Sequence, residues 1–188
     1  VCTLDTFGQA LKLGRACDEQ DFYWYEDPFA DGGISQHAHR QLRQRIDTPL
    51  LQTGELQRLE QKTDFIANEA TDFVRASSSL DGGITGAIKF GRVAEGFGVD
   101  IEYHITGPAA RHIQAATRNT NYYEMGLVHP ELDVTFHDWP DVYAGGYSDA
   151  LTAVDDEGRV PVPQDPGLGV EYDWSYVEEN ERTSVVYE

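Results

Sequence analysis

Three glutamates and one histidine stand at or near the ends of short runs with strand character. The aromatic run Phe22–Tyr25 leads into Tyr25-Glu26-Asp27-Pro28, and the run Pro49–Thr53 leads into Gly54-Glu55. The run Val99–His104 closes on Glu102-Tyr103-His104, and Tyr122–Val128 carries Tyr122-Tyr123-Glu124. Glu26 and Glu55 at successive strand ends could share a hard divalent cation, because Mg2+ takes oxygen ligands and keeps places for water or substrate oxygens. His104 could move a proton near neutral pH. The alternative for any one carboxylate is a solvated or helix-capping acid, and four polar strand ends together weigh against it. His37 and His39, two apart at the opening of a helix, do not share a helical face and read better as surface or loop residues than as metal ligands. His112, inside a helix, reads as structural. Asp81-Gly82-Gly83 before a helix is either an anion-binding turn or a turn that needs positive φ.

The elements that must position these groups alternate. Helical spacing runs from Thr6 to Glu19, with Thr6 as a cap, and from Ser35 to Ile46, with Ser35 as a cap and Ala38, Leu42 and Ile46 four apart. Further helices are expected at Lys62–Glu69, at Ile84–Phe97 stopped by Gly98, and at Pro108–Arg118 with proline in the first turn. Strands are expected at Phe22–Tyr25, Pro49–Thr53, Asp72–Ala76, Val99–His104 and Tyr122–Val128. Strand and helix in strict alternation with short links give a parallel α/β sheet whose sites lie at the carboxyl ends of the strands. From Pro130 onward Gly, Pro and Asp dominate with no clear helix. The expected division is therefore 1–129 as the α/β part and 130–188 as an extension packing on it. Tyr143, Tyr147, Tyr172 and Trp174 are expected to cover its flank or a capping domain.

Composition narrows the partners. The 188 residues carry 33 acids against 14 bases, a net charge of −19, with only Lys12, Lys62 and Lys89 as lysines. Such a surface repels phosphate backbones and anionic membranes, so nucleic acid and membrane are expected not to be partners. Acids dispersed along the whole chain, with scarce lysine, read as adaptation to high salt, where screening reduces self-repulsion. Two cysteines, no run near ~20 apolar residues and a start without signal-peptide character place the expected location in the cytoplasm.

Taken together, Trp24-Tyr25-Glu26-Asp27-Pro28 resembles the W-x-E-[ED]-P signature of the enolase superfamily, in its mandelate racemase and muconate-lactonizing branch. Thr53-Gly54-Glu55, Asp81-Gly82-Gly83-Ile84-Thr85-Gly86, His104 and Pro166-Gly167-Leu168-Gly169 follow in the family's order. The resemblance implies the carboxyl-terminal part of a (β/α)8 barrel, about five βα units, without the capping domain and the first strands. It implies Glu26 and Glu55 as Mg2+ ligands, His104 as an acid/base residue and Glu124 as a stabiliser of the enediolate. Asn119, Asn121 and Tyr123 resemble the sugar-acid dehydratases, which implies Asn121 and Tyr123 as substrate contacts. The implied reaction is removal of the proton α to a carboxylate, then loss of water from a sugar acid to give a 2-keto-3-deoxy acid. Racemisation or epimerisation through the same enolate stays open.

Two departures bear on that implication. The family pairs its histidine with an aspartate five residues before Gly-Gly, where this chain has Ser77. Without that charge, His104 is expected to titrate nearer an unperturbed imidazole, at about 6.5, than a carboxylate-paired one would, and Asp81 is an uncertain substitute. The family's first metal ligand would fall at or just before Val1, and no K-x-K base occurs. As given, the chain holds two of three ligands and one of two acid/base groups. The rival reading is a truncated, non-catalytic half-barrel. In that case exposed sheet edges imply a homo-oligomer or a separate amino-terminal half as partner.

Overall fold

The computed structural model describes residues 4, 6–30, 35–125 and 142–186. Helix α1 (Phe7–Glu19) opens with a capping box in which Thr6 accepts from Gln9 N–H. Strand β1 (Tyr25–Glu26), helix α2 (Gln36–Arg43), strand β2 (Leu50–Gln52) and helix α3 (Leu59–Ala67) follow. Then come β3 (Phe73–Ala76), α4 (Gly83–Phe97), β4 (Asp100–Tyr103) and α5 (Pro108–Ala115). The four strands are parallel and pair in chain order, β1-β2-β3-β4. A doubly wound sheet reverses its order at a switch point; an unreversed parallel series with a helix after each strand is an arc of a (β/α)8 barrel.

Strand alternation sorts the two faces. Tyr25, Leu50, Val74, Ala76, Ile101 and Tyr103 pack under the helices against Ala10, Leu42, Ile66, Ala87, Phe90, Ala94 and Ile113. The intervening positions Glu26, Leu51, Thr53, Arg75, Glu102 and His104 therefore face the inner side. At the amino-terminal ends of the strands, the rings of Tyr23, Trp24, Phe73 and Tyr122 touch one another at centroid distances of 5.1 to 5.9 Å.

Several expected boundaries shift. The first strand starts three residues later than expected and ends one later, so it is only two residues long, and α3 starts at Leu59, three residues early. The expected strand Tyr122–Val128 is not a strand over 122–125, and 126–128 lie outside the described residues. Glu102 explains why: its buried carboxylate accepts from Tyr122 N–H (3.1 Å) and Asn121 Nδ2 (2.8 Å). Those side-chain bonds stand where ladder bonds would, beside one backbone bond from Ile101 N–H to Asn119 O (2.8 Å). The carboxyl-terminal region is also less irregular than expected. It holds a short antiparallel pair, β5 (Tyr143–Ala144) with β6 (Glu171–Tyr172), a 3-10 turn at Leu151–Ala153, and α6 (Trp174–Glu179) capped by Asp173. Six residues are too few for the apolar periodicity that betrays a helix in sequence. Among the described residues no helix is long and apolar enough to cross a membrane.

Candidate active site

Backbone strain marks the strand ends. Asp27 after β1 has φ 45°, Thr53 after β2 has φ 89°, and Ile105, two residues beyond β4, has φ 79°. Positive φ is costly for any non-glycine residue and most for β-branched ones, and such strain collects where a site fixes the chain. Thr53 offsets part of the cost through its side chain. Its Oγ1 donates to Arg75 O (2.9 Å) and accepts from Arg75 N–H (3.0 Å), replacing the ladder that its turned backbone cannot continue.

Arg75 is the centre of the inner face. Its guanidinium donates through Nε to Glu26 Oε1 at 2.6 Å and through Nη2 to Glu124 Oε1 at 3.2 Å. Glu124 also lies 3.8 Å from His104 Nε2 and accepts from Ile105 N–H at 2.7 Å. Glu26, Arg75, Glu124 and His104 thus form one connected set at the carboxyl ends of three strands. Burial pushes the Glu26 carboxyl above its ordinary value, against the opposing pull of Arg75. The His104 imidazole falls below its ordinary value: burial is the main cause, and Glu124 opposes it. The expectation of a value near an unperturbed imidazole is corrected accordingly. It considered the missing aspartate but not the desolvation of the ring, nor the Arg75 cation, which also disfavours the imidazolium.

Glu55 follows β2 and is exposed. Among the described residues, no three or more His, Cys, Asp or Glu are grouped to hold a metal. The donor chemistry of Glu26 and Glu55 nonetheless suits a hard cation. Among the described residues, Glu26, Asp27, Glu55 and Glu124 act electrostatically on one another or on His104, and Arg75 is the cation that opposes them.

The other expected residues are engaged within the protein. Asn121 Nδ2 donates to Glu102 (2.8 Å) and to Asp100 (3.2 Å). Tyr123 OH donates to Asp149 Oδ1 (2.6 Å) and accepts from Gly107 N–H (2.9 Å). Asp81 does not stand in for the missing aspartate. It pairs with the fully buried Lys62 (2.8 Å) and accepts from Ser77 N–H (2.8 Å). His39 is a core histidine, 0% exposed, with Nδ1 on Ser35 O (2.8 Å) and Nε2 near Gln52 (3.1 Å), between the rings of Phe29 and Phe65. His112 Nε2 bonds Leu168 O (3.1 Å) and is structural as expected. In Asp81-Gly82-Gly83 the glycines have φ 79° and 77°, the turn alternative, and a Cβ on Gly86 would collide with the Asp81 carbonyl.

Sequence reasoning missed Arg75 and Lys62 as members of this region. Arg75 carried a signal: in Phe73-Val74-Arg75-Ala76 it is the one charge inside a strand, on the same alternation as Ser77. Lys62 lies on an amphipathic helix, where a lysine normally reads as solvent-facing.

Comparison with known proteins follows the same outline. A family model described as Enolase C-terminal domain-like matches residues 4–176. A D-galactonate dehydratase family member of Streptomyces bingchenggensis is 30% identical over 177 residues, which is 89% of this chain and 39% of that protein. L-talarate/galactarate dehydratase of Salmonella typhimurium is 31% identical over 108 residues, 57% of this chain and 26% of that one. Among solved structures, D-glucarate dehydratase of Agrobacterium tumefaciens, complexed with magnesium, matches with a TM-score of 0.79 at 30% identity, covering 94% of this chain and 44% of that one. The chain spans less than half the length of these relatives.

Proposed function

The chain belongs to the enolase C-terminal domain-like family, and on that premise we propose that it is the carboxyl-terminal barrel portion of a Mg2+-dependent sugar-acid dehydratase. The observation that carries the reading is the connected set Glu26–Arg75–Glu124–His104 at the strand ends. Glu26 and Glu55 are the residues that would hold Mg2+, whose charge would bind the substrate carboxylate and steady the negative charge left when a base supplied by the joined amino-terminal part takes the α-proton. Arg75 keeps Glu26 and Glu124 in place. Ile105 N–H fixes the other oxygen of Glu124. His104 Nε2 gives its proton to the β-hydroxyl as the C–O bond breaks, so that water leaves and the enol rearranges to the 2-keto-3-deoxy acid.

The names of the relatives support a dehydratase over a racemase. A second reading, the non-catalytic half-barrel that associates with a copy of itself or a separate amino-terminal half, is favoured by one observation. Tyr23 and Tyr122, in the aromatic cluster at the strand starts, are each 56% exposed.

The test is a panel of aldonic and aldaric acids with Mg2+, followed by 2-keto acid formation. The chain by itself is expected to show negligible turnover. Joined to a cap and first strands, it is expected to dehydrate one or a few acids, and His104→Asn should lower turnover by roughly 10²–10⁴ while leaving Mg2+ binding nearly intact. No 2-keto acid from any acid in the joined protein would overturn the reading, and racemised product alone would redirect it.

A further inference from the structure

The loop leaving β4 is held in a conformation its residues resist. Ile105 sits at φ 79° and Gly107 at φ 115°. Both of these loop amides are tied to the segment that carries Glu124: Ile105 N–H donates to Glu124 Oε2 (2.7 Å) and Gly107 N–H to Tyr123 OH (2.9 Å). Tyr123 in turn donates to Asp149 Oδ1 at 2.6 Å. The same oxygen accepts from Arg111 Nη2 at 2.7 Å, and Tyr147 OH donates to Asp149 Oδ2 at 3.0 Å.

Arg111 belongs to α5 and its side chain is 2% exposed. It lies over the rings of Tyr123 (5.3 Å) and Tyr147 (4.5 Å) and donates to Ser148 O (2.6 Å) and Pro161 O (2.9 Å). One guanidinium and one carboxylate therefore join α5, the Tyr123–Glu124 segment and the carboxyl-terminal region. None of the described residues from 142 to 186 is buried. Apolar burial therefore contributes little to holding that region in place, and a charge-assisted clamp is the stronger tie.

We propose that Arg111 and Asp149 are positioning residues: they hold Tyr123, and through it Glu124, against the loop that begins at His104, so that the carboxyl-terminal region sets the geometry of the proton-transfer pair. The functional half of this statement rests on reading His104 and Glu124 as that pair. Its structural half stands on the chain of contacts Arg111–Asp149–Tyr123–Gly107 and Glu124–Ile105.

Amide hydrogen exchange followed by NMR on the whole chain tests it without any activity. In Asp149→Ala the Ile105 and Gly107 amides are expected to exchange about tenfold faster or more, while β3 amides such as Val74 keep their protection. Asp149→Asn keeps an acceptor for Tyr123 and should accelerate them less. Tyr123→Phe keeps the ring over Arg111 but loses the hydroxyl, so it should expose Gly107; adding Asp149→Ala to it should change Gly107 by no more than about twofold, as expected for residues acting along one route. Unchanged Ile105 and Gly107 amides in Asp149→Ala, with faster exchange confined to 142–186, would reduce the clamp to a surface anchor and overturn the proposal. Uniform acceleration of all amides in both Asp149 variants would overturn it too. Failure of the dehydratase assay would remove the functional reading and leave the exchange result unaffected.

Discussion

The strand-and-helix arc and the carboxyl-terminal region are held together by different forces. From α1 to α5 the chain buries Leu42, Leu50, Phe65, Phe90, Ile101 and Ile113 essentially completely, and its elements follow the apolar spacing of the sequence. From 142 to 186 no residue is buried, and what ties the region to the arc is polar: Arg111 to Asp149, Ser148 and Pro161, Tyr123 to Asp149, and His112 to Leu168. Apolar burial is additive and tolerant, whereas a polar clamp depends on a few bonds of exact geometry. Substitutions in the arc should therefore cost global stability, and substitutions in the clamp should release one region and spare the rest.

The largest effects belong to the arc. Phe90→Ala removes a fully buried ring from the main core and is expected to lower unfolding free energy by about 3–5 kcal/mol, read by denaturant titration. Lys62→Met is a comparable challenge by another route. Lys62 is 0% exposed, and removing its charge strands Asp81 at 6% side-chain exposure, so a loss of about 3–5 kcal/mol is expected. A loss under ~1 kcal/mol in either variant would mean that the arc is not the stability-bearing region. Arg111→Ala should leave the arc's cooperative transition in place and open 142–186 to limited proteolysis; arc and extension unfolding together would erase the distinction drawn here.

A smaller effect acts on both regions. With 33 acids against 14 bases, the thermal midpoint should rise as monovalent salt goes from dilute to molar, through screening of repulsion. A flat or falling midpoint would argue against salt adaptation. The smallest effect is local to the arc. Burial holds the His39 imidazole below its ordinary value. The neutral ring is thus the form the fold prefers, and its contribution is present above the unfolded value of about 6.5 and lost as pH falls below it. Stability should decline from about pH 6.5 downward, and His39→Gln should flatten that decline.

Much of the arc was legible because its helices carry 3.6-residue apolar spacing, recognisable caps at Thr6 and Ser35, and a first-turn proline at Pro108. Four of the five expected strands were legible too, with ends that slipped where runs are only two to four residues long, whereas the fifth is not a strand over 122–125. The polar strand ends pointed to Glu26, His104 and Glu124, which the structure brings together through Arg75. What sequence could not convey was long-range pairing. Lys62 meets Asp81 across 19 positions, Arg75 meets Glu26 across 49, and Arg111 meets Ser148 across 37. No local period encodes such partners. The strained Ile105 is equally silent, since isoleucine is the last residue that composition would place at positive φ.

The proposed function requires Glu26, Glu55 and His104 to face one cation-binding mouth at the strand ends. Mn2+ titration of this chain in molar salt, with paramagnetic broadening read residue by residue in NMR spectra, tests it most directly. The account predicts broadening confined to residues around Glu26, Thr53-Gly54-Glu55 and His104, and its loss in Glu26→Gln/Glu55→Gln. Broadening spread over the acidic surface and indifferent to that double substitution would contradict it.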